Sequence, residues 1–170
     1  MPRICIALLT LSLALLLSAC GAGLNAESRN ITQVTDGVEG AIINDQHEIK
    51  VRNLLVVETA DKAGVIVGTI INTSKTDDVL LGLAVNAQVV TLTGMTTIKN
   101  GQPVIFEGAS ANAKAVVAAL DAVAGQNVTI TLFFARAGEL RLTAIVRDQR
   151  DDYAGITAQM DAVATPTKYS

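Results

Sequence analysis

Residues 128–147 read VTITLFFARAGELRLTAIVR, and this stretch decides the fold. In its first half Val128, Ile130, Leu132 and Phe134 fall on one side of an extended chain, against Thr129 and Thr131 on the other. In its second half Leu140, Leu142, Ala144 and Val146 oppose Glu139, Arg141, Thr143 and Arg147. A period of two is the signature of a half-buried strand, because successive side chains of an extended chain point to opposite faces. Arg136-Ala137-Gly138 joins the two runs, with a glycine available for positive φ, so the pair is expected to form a hairpin.

Working outward, similar runs recur upstream. Ile49, Val51, Asn53, Leu55 and Val57 alternate with Lys50 and Arg52 before the strand becomes apolar on both faces through Leu54 and Val56. That pattern suits a strand in the middle of a sandwich. Val65–Ile71 follows the loop Asp61-Lys62-Ala63-Gly64; Val79–Val85, Ala87–Thr93, Val104–Phe106 and Ala115–Leu120 come next, each bounded by polar or glycine-containing turns. Ser110–Ala124 is rich in alanine, but its few apolar residues between two turn signals favour a strand over a docked helix. Val, Ile and Thr supply 46 of the 151 residues from Cys20 onward, and these are the side chains that pleated surfaces accept best. The expectation is an all-β protein, an antiparallel β-sandwich of seven to nine strands.

The chain of 170 residues is half apolar, yet part of that comes from its first residues. Arg3 precedes an apolar run over Ile4–Leu17 that ends in Leu17-Ser18-Ala19-Cys20-Gly21. This reads as a secretory signal over 1–19, too short to span a bilayer as a helix. A cysteine directly after two small residues resembles the bacterial lipobox, which makes Cys20 the expected site of lipid attachment. The diacylglycerol so carried (with a palmitate-type acyl chain among its substituents) would hold the protein to the cell membrane on the extracytoplasmic face of the envelope, since two or more chains anchor durably. Residues 20–40 then read as a flexible tether, 41–147 as the sandwich and 148–170 as a mobile tail. With Cys5 removed and Cys20 lipidated, no disulfide is expected in the mature domain.

Charge and side-chain inventory narrow the function. A net charge of −3 argues against a nucleic-acid partner. One histidine, His47, lies in the turn-like Asn44-Asp45-Gln46-His47-Glu48, where Asp45 and Glu48 are its neighbours as metal-ligand candidates. Asp77-Asp78 and Asp151-Asp152 are adjacent carboxylates, and adjacent residues on an extended chain point apart rather than across a substrate. No nucleophile–base pair, phosphate-cradling glycine loop or aromatic sugar platform is present, so no catalytic residue is assigned and the chain is read as a non-enzyme.

Residues 119–146, with Gly125-Gln126-Asn127-Val128 opening the hairpin, resemble the closing hairpin of the periplasmic copper-chaperone family of the PCuAC type. Gly68-Thr69-Ile70-Ile71-Asn72-Thr73-Ser74 and Asp77-Asp78-Val79-Leu80-Leu81-Gly82 are similar to that family's strand, turn and Asp-Asp-x-Leu element. With the lipobox and Gly21-Ala22-Gly23, the likeness is to an actinobacterial lipoprotein branch. The resemblance implies a cupredoxin-like or immunoglobulin-like sandwich and a role in Cu(I) delivery to a respiratory oxidase through His and Met ligands, soft donors that suit this ion. It places the family's ligands on Thr93, Lys114 and Val116, none of which can ligate copper. Met95 and Met160, with His47, would be the donors of any degenerate site. The expected function is therefore a lipid-anchored envelope module for binding, scaffolding or assembly with an envelope protein partner and no cofactor. Copper handling through a degenerate site is the alternative.

Overall fold

The computed structural model describes residues 36–160. The expected signal segment, Cys20, most of the tether and residues 161–170 lie outside them. The decisive hairpin forms as its alternation requires: β10 (Asn127–Phe134) and β11 (Gly138–Asp148) pair antiparallel from Asn127↔Ile145 to Phe134↔Gly138. Val128, Ile130, Leu132 and Phe134 point into the core, with Ala144 and Val146 beside them.

Nine further strands precede the hairpin: β1 (Val38–Ile43), β2 (Glu48–Glu58), β3 (Gly64–Asn72), β4 (Asp78–Val85), β5 (Gln88–Val89), β6 (Thr91–Gly94), β7 (Thr97–Ile98), β8 (Val104–Ile105) and β9 (Ala113–Val117). The alanine-rich stretch is thus a strand at β9, and β1 starts at Val38, within the stretch read as tether. The total of eleven exceeds the expected seven to nine because several are two-residue strands. The expected strand over Ala87–Thr93 is split at Val90, whose buried side chain and N–H, donated to the Leu83 carbonyl at 3.1 Å, turn the chain inward.

That turn determines the architecture. The hydrogen-bonded order is β5-β4-β10-β11-β2-β3-β9-β6, and its two end strands are joined by Val90 alone. One bent segment therefore pairs with β4 through its first half and with β9 through its second, which draws the sandwich into a barrel-like ring. One pairing corrects the purely antiparallel expectation: β11 runs parallel to β2, with Val146 opposite Val56. Parallel neighbours need a long connection between them, and everything from β3 to β10 supplies it.

β2 is buried on both faces, as its sequence suggested. Ile49, Val51, Leu54 and Val56 belong to the main core, whereas Leu55 and Val57 form a second cluster on the outside with Ala63, Val65, Val116 and Ile156. Asn53, at φ +50°, makes the change of face between Arg52 and Leu55 by interrupting the register. Both clusters lie between Ile49 and Ile156, so the unit from Thr35 onward carries a complete core of its own.

Ile156 corrects a further expectation. Residues 148–160, read as part of a mobile tail, dock across the outer face of β2, β3 and β9, with Tyr153, Ala158 and Met160 also packed on the second cluster. Gln149 clamps the segment, accepting from the Ala60 N–H at 3.2 Å and donating to the Ile156 carbonyl at 2.6 Å. Ile156, Ala158 and Met160 alternate with Thr157 and Gln159, but so short a run, with one small member and no strand pairing, is a weak sequence signal.

Burial, and then the Asp36 carboxylate 3.2 Å from the hydroxyl, raise the Tyr153 phenol above its ordinary value. Stability linked to the protonated phenol is thus fully present below the unfolded value near 10 and is lost as pH rises through the raised one. In an ultraviolet titration one tyrosine should ionise late, and Ile156→Asp should bring it back toward the ordinary range. An unchanged titration in that variant would mean that the segment does not depend on Ile156 for docking.

Candidate functional site

His47 lies in the turn between β1 and β2. Asn44 builds this turn: its Oδ1 accepts from the N–H groups of Gln46 (3.1 Å) and His47 (2.8 Å), and its own N–H donates to the His47 carbonyl at 2.9 Å. The turn forms one wall of a cleft of about 750 Å³, with Thr73, Ser74, Lys75 and Thr76 on the other wall and Arg136 at the hairpin tip. Ser74 ties the walls together by accepting from the Glu48 N–H at 2.6 Å. Glu48 is engaged with Lys50 at 2.6 Å, and that hydrogen bond, helped by Thr73, holds its carboxyl below the ordinary range. Asp45 and His47 are thus the metal-ligand candidates left in the turn. Among the described residues no group of three His, Cys, Asp or Glu side chains is placed to hold a metal ion.

The other sulfur candidates lie elsewhere. Met95 follows β6, half-buried against the main core with its N–H donated to the Asn112 carbonyl at 2.7 Å. Met160 packs on the outer cluster under the C-terminal segment. His47, Met95 and Met160 therefore occupy three different environments, and the structure does not gather them into one site. Cys20 lies outside the described residues, among which no helix is long and apolar enough to cross a membrane.

The positions to which the resemblance carries the copper ligands do come together. Thr93 on β6 and Lys114 on β9 are direct cross-strand partners, and Val116 pairs with Thr91 in the same ladder. Directly opposed residues place their side chains on one face about 5 Å apart at Cβ. The Lys114 ammonium is 3.3 Å from Glu107, and both side chains are largely withdrawn from water, at 15% and 18% exposure. The Thr93 hydroxyl is buried beside them without a hydrogen-bond partner. Val116 is buried in the outer cluster. Glu107 also borders a cleft of about 420 Å³ formed with Val67, Tyr153 and Ile156, so the C-terminal segment flanks this face. Glu107 escaped sequence reasoning because it sits in an irregular stretch with no spacing that links it to Lys114. Gly94 closes β6 beside Thr93 at φ +85°, where a Cβ would lie 2.4 Å from the Asn112 carbonyl oxygen.

The Asp77-Asp78 pair also resolves. Asp77 is exposed, whereas Asp78 is 1% exposed and points inward. Its Oδ1 accepts from the N–H groups of Val79 (2.7 Å) and Arg136 (3.0 Å), and its Oδ2 accepts from that of Ala137 (2.8 Å). This carboxylate pins the tip of the β10–β11 hairpin to the start of β4. Its oxygens are occupied by structure, and it is a fold determinant.

No protein-family model matches the chain, and no curated protein matches it in sequence. Solved structures do share its fold. The copper-bound PCuAC domain from PmoF2 superposes with a TM-score of 0.53 at 17% identity over 65% of this chain and 97% of that domain. The apo PCuAC domain from PmoF1 gives 0.51 at 21% identity over 62% and 98%, and the apo PmoF2 domain gives 0.52 at 16% over 64% and 94%. The sandwich described above thus shares its fold with these PCuAC domains.

Proposed function

We propose that this protein is a lipid-anchored, non-enzymatic module of the bacterial cell envelope, attached through Cys20 at the extracytoplasmic face, that uses a PCuAC-type sandwich for binding or assembly rather than for carrying copper. The observation that carries this reading is the Thr93–Lys114 pair with Glu107. Where the resemblance puts soft ligands, the chain has an ammonium paired to a carboxylate, and a fixed cation repels a metal ion. The Lys114 ammonium supplies from within the chain the positive charge that Glu107 pairs with.

A Cu(I) competition titration of the domain tests this. The expected result is no binding tighter than micromolar and no change on His47→Ala or Met95→Ala. The likeness to a copper-bound domain favours the second reading, copper handling through a degenerate site. Submicromolar binding that is lost in either variant would establish that reading and overturn the first. Anchoring is tested separately: Cys20→Ala should abolish acyl labelling and release the protein from membranes.

A further inference from the structure

The two outer faces of the sandwich are treated differently by the chain. The face over β2, β3 and β9 is covered by residues 153–160, whereas the face over β5, β4 and β10 keeps large apolar side chains exposed around a buried Thr131. Six large apolar side chains are exposed among the described residues, and four belong to this second face: Val79 (36%), Leu81 (66%), Val89 (85%) and Phe133 (38%). The pairing explains why. Phe133 lies opposite Gly82 and Val89 opposite Ala84, while Leu81 is the extra residue where the β4–β10 register jumps. All four side chains are therefore turned away from Leu80, Leu132 and Phe134, which fill the core.

The cations follow the same geography. Of the ten Lys and Arg side chains among the described residues, seven are ion-paired. The other three are Lys75, Lys99 and Arg136. Lys75 lies in the loop before β4, Lys99 follows β7, which pairs with the start of β4, and Arg136 is in the hairpin tip held by Asp78. Asp45 and Asp77 are the outward carboxylates there without an ion pair, Glu48 and Glu139 being held by Lys50 and Arg141, and Asp78 is the inward one, so this end is neutral while the described residues together carry fourteen acidic groups against ten cations. It is the part of an acidic domain that an anionic surface repels least.

We propose that the face of β4, β5 and β10 docks on a lipid surface, with Leu81 and Phe133 entering the interface and Lys75, Lys99 and Arg136 meeting anionic headgroups. Apolar side chains beside unpaired cations are the composition of an interfacial membrane contact. The proposal deepens the anchored reading and rests on it for proximity. The sixteen residues from Cys20 to Asp36 can extend to about 55 Å. Asp36 sits beside Arg147, and Glu139, opposite Phe133, is eight residues up the same strand, about 27 Å away. The tether thus reaches far enough for this face to meet the bilayer that holds the anchor.

The test uses the unlipidated unit 35–170, which carries its own core, in co-sedimentation with vesicles of equimolar phosphatidylglycerol and phosphatidylcholine. The unit should partition onto them, and Leu81→Ser with Phe133→Ser should lower partitioning at least about tenfold, since each large apolar side chain contributes well over 1 kcal/mol. Lys75→Gln and Arg136→Gln should each lower it about fivefold. Val123→Ser, at an exposed apolar position elsewhere, should leave it unchanged. Circular dichroism confirms that these surface variants stay folded. Absence of vesicle binding, or binding indifferent to Leu81 and Phe133, overturns the proposal and leaves the face to a protein partner. Because the unit lacks Cys20, this result is independent of the acyl-labelling test, and either idea can fail without the other.

Discussion

Asp78→Ala is expected to lower the unfolding free energy by about 4 kcal/mol and the midpoint of thermal unfolding by roughly 15 °C. Three backbone N–H groups converge on this carboxylate, and alanine leaves all three without an acceptor in a place that water reaches poorly. Each orphaned buried donor costs about 1–3 kcal/mol, reduced here because the hairpin tip can partly open to solvent. Asp78→Asn keeps one oxygen in position and should lose about half as much. Chemical denaturation with matched m-values measures both. Losses under 1 kcal/mol in the alanine variant would show that the hairpin tip is held by strand pairing alone. The same measurement separates this aspartate from Asp77, whose replacement by alanine should fall within about 0.5 kcal/mol because its side chain is exposed.

Gly94→Ala should be nearly as damaging, at about 3 kcal/mol, and its control is built into the chain. Gly94 and Gly101 both have positive φ, at +85° and +71°, so alanine pays the left-handed conformational cost at either. They differ in what the new methyl meets. At Gly101 nothing lies within 4 Å, whereas at Gly94 the Asn112 carbonyl oxygen is 2.4 Å away and the Ala113 Cα 2.8 Å. Those are backbone atoms of the segment leading into β9, so the strands must separate. Gly101→Ala is expected to cost about 1 kcal/mol, and the difference between the two variants isolates the close approach of β6 to β9. Equal losses would mean that the clash relaxes without disturbing the Thr93–Lys114 ladder.

How far the sequence reaches is visible in these residues. Period-two alternation in 128–147 placed the hairpin to within a residue or two, and the doubly apolar β2 announced a strand buried on both faces. What covers its outer face was not legible, because the alternation of Ile156, Ala158 and Met160 with Thr157 and Gln159 spans only five residues and belongs to no strand. The ring closure was hidden for a similar reason: Val90 reads as one more residue of a strand, and its role as a corner depends on partners far along the chain. At the candidate site, resemblance carried the family's ligand positions onto Thr93, Lys114 and Val116 without their geometry, and that Thr93 faces Lys114, with Glu107 beside it, could be found only in three dimensions. Asp78 was noticed as half of a carboxylate pair, but its purpose depended on hairpin residues almost sixty positions away.

The parallel pairing of Val146 with Val56 also constrains how the protein is made. These partners are ninety residues apart, and no local element can stand in for either. Contacts of such separation pay their loop-closure entropy before any return, which places a domain of this kind among millisecond-to-second folders rather than microsecond ones. During synthesis β2 emerges early, and its edge at Val56–Glu58 waits unpaired until β11 has left the ribosome. The chain therefore remains open until nearly all of the domain has been made.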